Sequence, residues 1–185
     1  MRNRIAFEAI EEGASDLVFI DADIAWEPAT LLRLLSYDAP IVGGIMPTTT
    51  EEFGKVKYPF RALTPNHLRL EEDGLVEVQG LPTAFLRIRR DALIDLASKA
   101  PKASMSGYDK LVPVLFDYSL RPYGQDGSLT HAGEDFHFCE VARENGYRIM
   151  LDPYLRLLHM KDVMLEGALA DGLTRKETPP EDDDV

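Results

Sequence analysis

The seven residues Leu17-Val18-Phe19-Ile20-Asp21-Ala22-Asp23 constrain this chain more than any other stretch. Their apolar half has the length and composition of a buried strand. It runs without a spacer into two carboxylates, which cannot stay in a core unpaired. The strand therefore has to end there, with Asp21 and Asp23 emerging at its carboxyl end. A backbone that stays extended across them sets both side chains on one side, because strand side chains repeat every two residues. Two hard oxygen donors so placed suit Mg²⁺ or Mn²⁺, above all an ion already carrying phosphate oxygens. A turn with two solvated aspartates satisfies the same pattern, so D-x-D alone does not choose between these readings.

With 185 residues the chain can bury one sizeable core. Its formal net charge of −12 argues against non-specific nucleic-acid binding. An anionic substrate must then be held by local cations or a metal rather than by the overall field. Cys139 is the only cysteine, which excludes a disulfide framework and a thiolate zinc cluster. No apolar run reaches membrane-spanning length and no signal-peptide pattern opens the chain, so the expected compartment is the cytoplasm. The acidic segment Thr174–Val185, with Pro179-Pro180 and Asp182-Asp183-Asp184, reads as a disordered tail behind a domain spanning residues 1–173.

In chain order, the periodicity predicts a helix over Asn3–Glu12 stopped at Gly13, then the strand, then a second helix opened by Pro28 with Leu31, Leu32, Leu34 and Leu35. Strands are expected at Ile41–Ile45, Val56–Phe60, Leu75–Gln79 and Ala84–Ile88. A helix follows Arg89-Arg90-Asp91. Pro113–Asp117 reads as a short strand, Pro101–Leu111 as a loop, and Ser119–Gly133 as a polar mobile loop. Glu134 opens a helix that stops at Gly146, Tyr147–Leu151 and Leu155–His159 are strands, and Met164–Leu169 is a last helix. Strands alternating with helices make an α/β layered domain with a mixed sheet.

Chemistry could reside at the Asp21/Asp23 pair, at Glu134-Asp135 and at His159. Each has a plain structural reading as well: carboxylates complement the dipole at a helix start, and a histidine after Leu157-Leu158 can be a satisfied core residue. His67, His131 and His137 show no ligand-like spacing. Arg87, Arg89 and Arg90 could hold phosphate or simply be solvated.

Taken in order, these pieces resemble the nucleotide-sugar-dependent glycosyltransferases of the GT-A fold, over about Arg4 to His159. The resemblance rests on the helix before Asp21-Ala22-Asp23, that motif, the Pro28-led helix, the run from Gly80 through Thr83 to Arg89-Arg90-Asp91-Ala92-Leu93, Gly133-Glu134-Asp135 before Glu144-Asn145-Gly146-Tyr147, and a strand ending in His159. It implies a GT-A-like, Rossmann-related mixed sheet flanked by helices. It also implies a metal, Mn²⁺ or Mg²⁺, bound by Asp23 with Asp21 and His159. Asp135 would be the general base toward an acceptor hydroxyl and Glu134 its neighbour. Asp21, Gly80 and Thr83 would face the nucleotide-sugar donor, and a carbohydrate or other hydroxyl compound would be the acceptor.

The sequence departs from that family in one respect. The two or three strand–helix units that normally precede D-x-D, and bind the nucleotide, are not found upstream, so an N-terminally truncated member is expected. Its Leu17–Ile20 strand would keep an open edge, which favours a homodimer. A shortened, non-catalytic relative acting as a binding module is the alternative. A haloacid-dehalogenase-type phosphatase also begins with strand and D-x-D, but Ile24-Ala25 does not match the small pair that follows there.

Overall fold

The structure is a computed structural model that describes residues 1–49, 55–65, 67–123, 128–160 and 164–172. Helix α1 (Arg2–Glu11) buries Ala6 and ends before Gly13, whose φ of +77° lets the chain double back. Strand β1 (Asp16–Ile20) follows, then the short β2 (Ile24–Ala25) and helix α2 (Pro28–Ser36), opened by proline where the missing N–H costs nothing. Next come β3 (Ile41–Gly43), β4 (Thr48–Thr49), β5 (Val56–Lys57), β6 (Arg61–Ala62), β7 (Val76–Gly80) and β8 (Phe85–Arg89). Helix α3 (Arg90–Lys99) leads to β9 (Lys102–Ala103), β10 (Val112–Pro113), β11 (Ser119–Tyr123) and β12 (Ser128–Ala132). Helix α4 (Glu134–Glu144), β13 (Ile149–Leu151), β14 (Leu157–Met160), β15 (Met164–Gly167) and a 3-10 turn over Leu169–Gly172 complete the described chain.

Six strands form the main sheet in the order β1-β8-β3-β13-β7-β6. β3 and β13 are parallel, and the other neighbours are antiparallel. The sheet is therefore mixed, and β1, β3 and β13 all point the same way. Their carboxyl ends release Asp21, Gly44 and Asp152 along one end of the sheet. β1 is an edge strand, paired only with β8 among the described strands.

Alternation along each strand divides the core into two layers. Leu17, Phe19, Ile41, Leu86, Ile88, Ile149 and Leu151 point to one face, where they meet Ala6 of α1, Leu93 and Leu96 of α3, and Phe138 and Ala142 of α4. Val42, Phe85 and Met150 point to the other, against Leu34 of α2 and Leu155 and Leu157. Each fully buried Leu, Ile or Phe contributes about 1.5–3 kcal/mol, so both faces need their helices.

Several expected elements differ. The stretch expected as one strand from Val56 to Phe60 breaks into β5 and β6 around Pro59, which has no N–H to give a ladder. Only Val112–Pro113 is a strand, because both amide atoms of Asn3 bind the backbone of Leu115 and Phe116 at 2.8 Å. The expected last helix is instead β15, paired with β14. Within the segment read as a mobile loop, β11 and β12 pair antiparallel. The tail expected from Thr174 lies outside the described residues.

Candidate functional site

The chain returns on itself so that Arg2 and Asp21 come abreast. A helix of α1's size rises about 15 Å and a strand of β1's size about 17 Å. The start of α1 therefore lands beside the end of β1. There the Arg2 guanidinium reaches three carboxylates: Asp21 at 3.1 Å, Glu134 at 2.5 Å and Asp135 at 3.8 Å. One cation thus ties the end of β1 to the first turn of α4. A cation in the first turn of α1 opposes that helix's own dipole, and these carboxylates offset it.

The D-x-D segment is not extended. Ile24 N–H donates to the Asp21 carbonyl at 3.0 Å, which closes a turn over Asp21–Ile24. The two aspartates consequently have separate partners. Asp21 turns to Arg2, and Asp23 turns to His159, whose Nε2 lies 3.2 Å from Asp23 Oδ2. Pairing of β14 with β2 sets His159 opposite Ile24, and Met160 N–H donates to the Asp23 carbonyl at 2.8 Å. That ladder is why a histidine so far along the chain reaches the motif.

His159 Nδ1 lies 2.8 Å from the Pro47 carbonyl oxygen, which can only accept, so Nδ1 carries a proton. In a neutral ring, Nε2 then offers a lone pair to a carboxylate oxygen. Two acceptors facing each other need a proton or a cation between them. A divalent ion bound about 2.1 Å from each of two neighbouring donors holds them roughly 3.0–3.4 Å apart, and the observed 3.2 Å falls in that range. A ring N–H anchored on a backbone carbonyl is also the usual second contact of a ligating histidine. The pair therefore fits two of the six positions of a Mg²⁺ or Mn²⁺ shell. The imidazole is almost wholly buried, whereas the Asp23 and Asp21 side chains are 45% and 43% exposed, so an ion held by Asp23 and His159 would be reached from solvent. Among the described residues, no group of three or more His, Cys, Asp or Glu is gathered for a metal.

Asp135 is held by Thr83, whose hydroxyl donates to Oδ1 at 3.0 Å and whose N–H donates to Oδ2 at 3.3 Å. Burial raises the Asp135 pKa above the ordinary aspartate value. Arg2 and the Thr83 bonds pull it down, and Glu134 adds to the rise. Thr83 is itself fully buried, in the segment that leaves β7 and passes under α4 to reach β8. Gly80 stands at the start of that passage. A Cβ there would lie 2.8 Å from the Phe136 ring and 3.3 Å from Cys139, so the position is filled by α4. On the solvent side, the Glu134 carboxylate raises the pKa of the Tyr118 phenol.

The three arginines considered for phosphate are otherwise engaged. Arg87, buried, donates to Asp16 at 2.6 Å and to the Tyr37 carbonyl at 2.7 Å. Arg89 pairs with Asp91 and Asp38, and Arg90 donates to the carbonyls of Ile10 and Ala14. Sequence reasoning did not single out Arg2, Pro47 or Tyr118. Only Arg2 left a signal, its unfavourable place at a helix start.

No family model and no curated protein sequence matches the chain. Among solved structures it is similar to the crystal structure of A197 from STIV, with a TM-score of 0.51 at 15% identity, over 96% of this chain and 78% of that one. That likeness concerns the fold alone. It agrees with the mixed α/β architecture described above.

Proposed function

We propose that this chain is a metal-dependent glycosyltransferase of the GT-A type, moving a sugar from a nucleotide-diphosphate donor to an acceptor hydroxyl. The observation that carries the reading is the meeting of Asp21 with Glu134 and Asp135 around Arg2, at the sheet end where the parallel strands release their loops. Ligands of open α/β sheets bind outside such carboxyl ends.

Asp23 Oδ2 and His159 Nε2 would hold the ion, while Asp21 stays on Arg2. The remaining positions suit diphosphate oxygens and water, the usual arrangement for ions that take few protein ligands. When bound, the ion supplies Lewis-acid stabilisation of the departing diphosphate. The chain's own residues do the rest. Asp135 accepts the proton of the acceptor hydroxyl as the new carbon–oxygen bond forms and the sugar–phosphate bond breaks. Its raised pKa brings it closer to the working range of a base. Thr83 acts through Asp135, fixing the carboxylate plane, and Gly80 lets α4 sit close enough for that contact. Glu134 and Arg2 complete the acidic wall.

Calorimetry tests the metal half. Mn²⁺ should bind the wild type more tightly when UDP or GDP is present, and Asp23→Ala should abolish the effect. Equal binding by both proteins would remove the metal assignment. With a substrate pair in hand, Asp135→Asn should lower kcat by about 100-fold or more with donor affinity nearly intact. One observation favours the second reading, a relative that binds without transferring: Arg2 already neutralises the acidic cluster from within the chain. Metal and nucleotide binding without turnover would decide for it.

A further inference from the structure

The hairpin β11–β12 ends at Ala132, directly before the carboxylates that open α4. Ala132 is fully buried and its register partner Ser119 is half-buried, so this end of the hairpin packs on the body of the protein with that side inward. By strand alternation the opposite face carries Leu120, which pairs with His131, and Leu129 two residues away. Leu120 and Leu129 are 65% and 63% exposed. Tyr118 stacks on His131 with ring centroids 5.1 Å apart and planes 22° from parallel. The nearby Glu134 carboxylate raises the pKa of the same phenol. An aromatic stack and two leucines thus share one open face of the hairpin whose second strand leads into the candidate base.

We propose that this face is the acceptor platform, and that the acceptor is an amphipathic glycoside. Its sugar ring would stack on Tyr118 and His131, and its apolar substituent would lie along Leu120 and Leu129. This rests on the glycosyltransferase reading. Aromatic faces carry negative potential and attract the partly positive C–H groups of a sugar ring. Ligand sites combine such rings with a few polar groups that fix orientation, a role open to the Glu134 carboxylate at the start of α4. A second copy of the chain fits less well. Four such side chains expose on the order of 400 Å², about half of the ~800 Å² per partner that a stable interface buries. An anionic membrane would be repelled by Glu134, Asp135 and the net charge of −12.

The test is saturation-transfer NMR on the full chain, without metal or nucleotide, using a panel of p-nitrophenyl glycosides and their methyl counterparts. At least one p-nitrophenyl glycoside should bind, with transfer to one ring face and to the aglycone, and its methyl counterpart should bind at least 10-fold more weakly. Tyr118→Ala and Leu129→Ser should each weaken binding by 10-fold or more, while Tyr118→Phe stays within about 3-fold of the wild type because the ring is kept. Both positions are exposed, so the weakened variants should retain the wild-type Tm. No binding across the panel would overturn the proposal, as would binding indifferent to both variants. Sedimentation with phosphatidylcholine vesicles that Leu129→Ser abolishes would assign the face to lipid instead. A dimer dispersed by the same variant would assign it to self-association. Failure of the calorimetric test with Mn²⁺ and nucleotide would leave glycoside binding standing, so the two readings fall separately.

Discussion

Arg33→Met should cost far more stability than the exposure of Arg33 suggests. The guanidinium belongs to α2 and donates from Nε to Asp152 Oδ2 at 2.6 Å and from Nη2 to Oδ1 at 3.3 Å. The same carboxylate accepts the Tyr37 hydroxyl at 2.6 Å and the Tyr154 N–H at 2.9 Å. Burial, and then Asp152, push the Tyr37 phenol up to about 12, so it remains a donor at neutral pH. Lys99 and Asp95 make a contact of equal length, 2.6 Å, but with side chains 48% and 38% exposed. Here the corresponding values are 47% and 0%. Distance therefore does not separate the two pairs; desolvation of the carboxylate does. Removing one partner of a fully buried pair costs about 3–5 kcal/mol. Arg33 is half in water and two neutral donors remain, which brings the expected loss to roughly 2–3 kcal/mol. At about 2–4 °C per kcal/mol for a chain of this size, Tm should fall by roughly 4–12 °C. Lys99→Ala should cost under about 0.5 kcal/mol. Urea unfolding with a double-mutant cycle through Tyr37→Phe measures both the loss and the coupling. A loss for Arg33→Met no larger than that for Lys99→Ala would refute the argument. The clamp matters to the site because α2 follows the Asp21–Ile24 turn, and Asp152 also donates its N–H to Gly43 at 3.0 Å.

Two further outcomes follow from groups displaced by burial. The Asp135 pKa is raised on folding, so its ionised form opposes folding, and stability is lost as pH rises from the ordinary aspartate value through the folded one. Asp135→Asn should therefore gain stability relative to the wild type at pH 7, and the gain should shrink at pH 4; thermal unfolding at both values checks it, and a gain that grows toward acid would be the wrong sign. Cys139 is fully buried and its thiol is pushed up to about 12 by that burial, so it should resist a disulfide reagent at pH 8 and react only once guanidinium unfolds the chain.

Local signals carried most of the architecture. Proline at the start of α2, Gly13 and Gly146 past the ends of α1 and α4, alternation along β7 and the apolar run into β8 each act over a few residues, and the elements stand where those signals put them. The failures share one cause. Met164–Gly167, Ser119–Tyr123 and Ser128–Ala132 are strands because a neighbouring strand pairs with them, and pairing leaves no local mark in such short stretches. Pro113–Asp117 failed for a related reason, since Asn3 supplies the hydrogen bonds that a ladder would have made.

The site divides along the same line. Asp23 was legible as a hard oxygen donor and His159 only through the family resemblance, and their meeting follows from the β2–β14 ladder. The extended D-x-D pair was not borne out, because a turn over Asp21–Ile24 leaves the strand at once and sends the two carboxylates to different partners. Arg2 shows what a sequence leaves implicit. An arginine in the first turn of a helix is disfavoured by the dipole, and its compensation lies at two other places in the chain, Asp21 and the start of α4. The unfavourable local choice is the trace of a favourable distant one. Where a sequence breaks a local rule beside a cluster of opposite charge, a long-range contact is the first explanation to test.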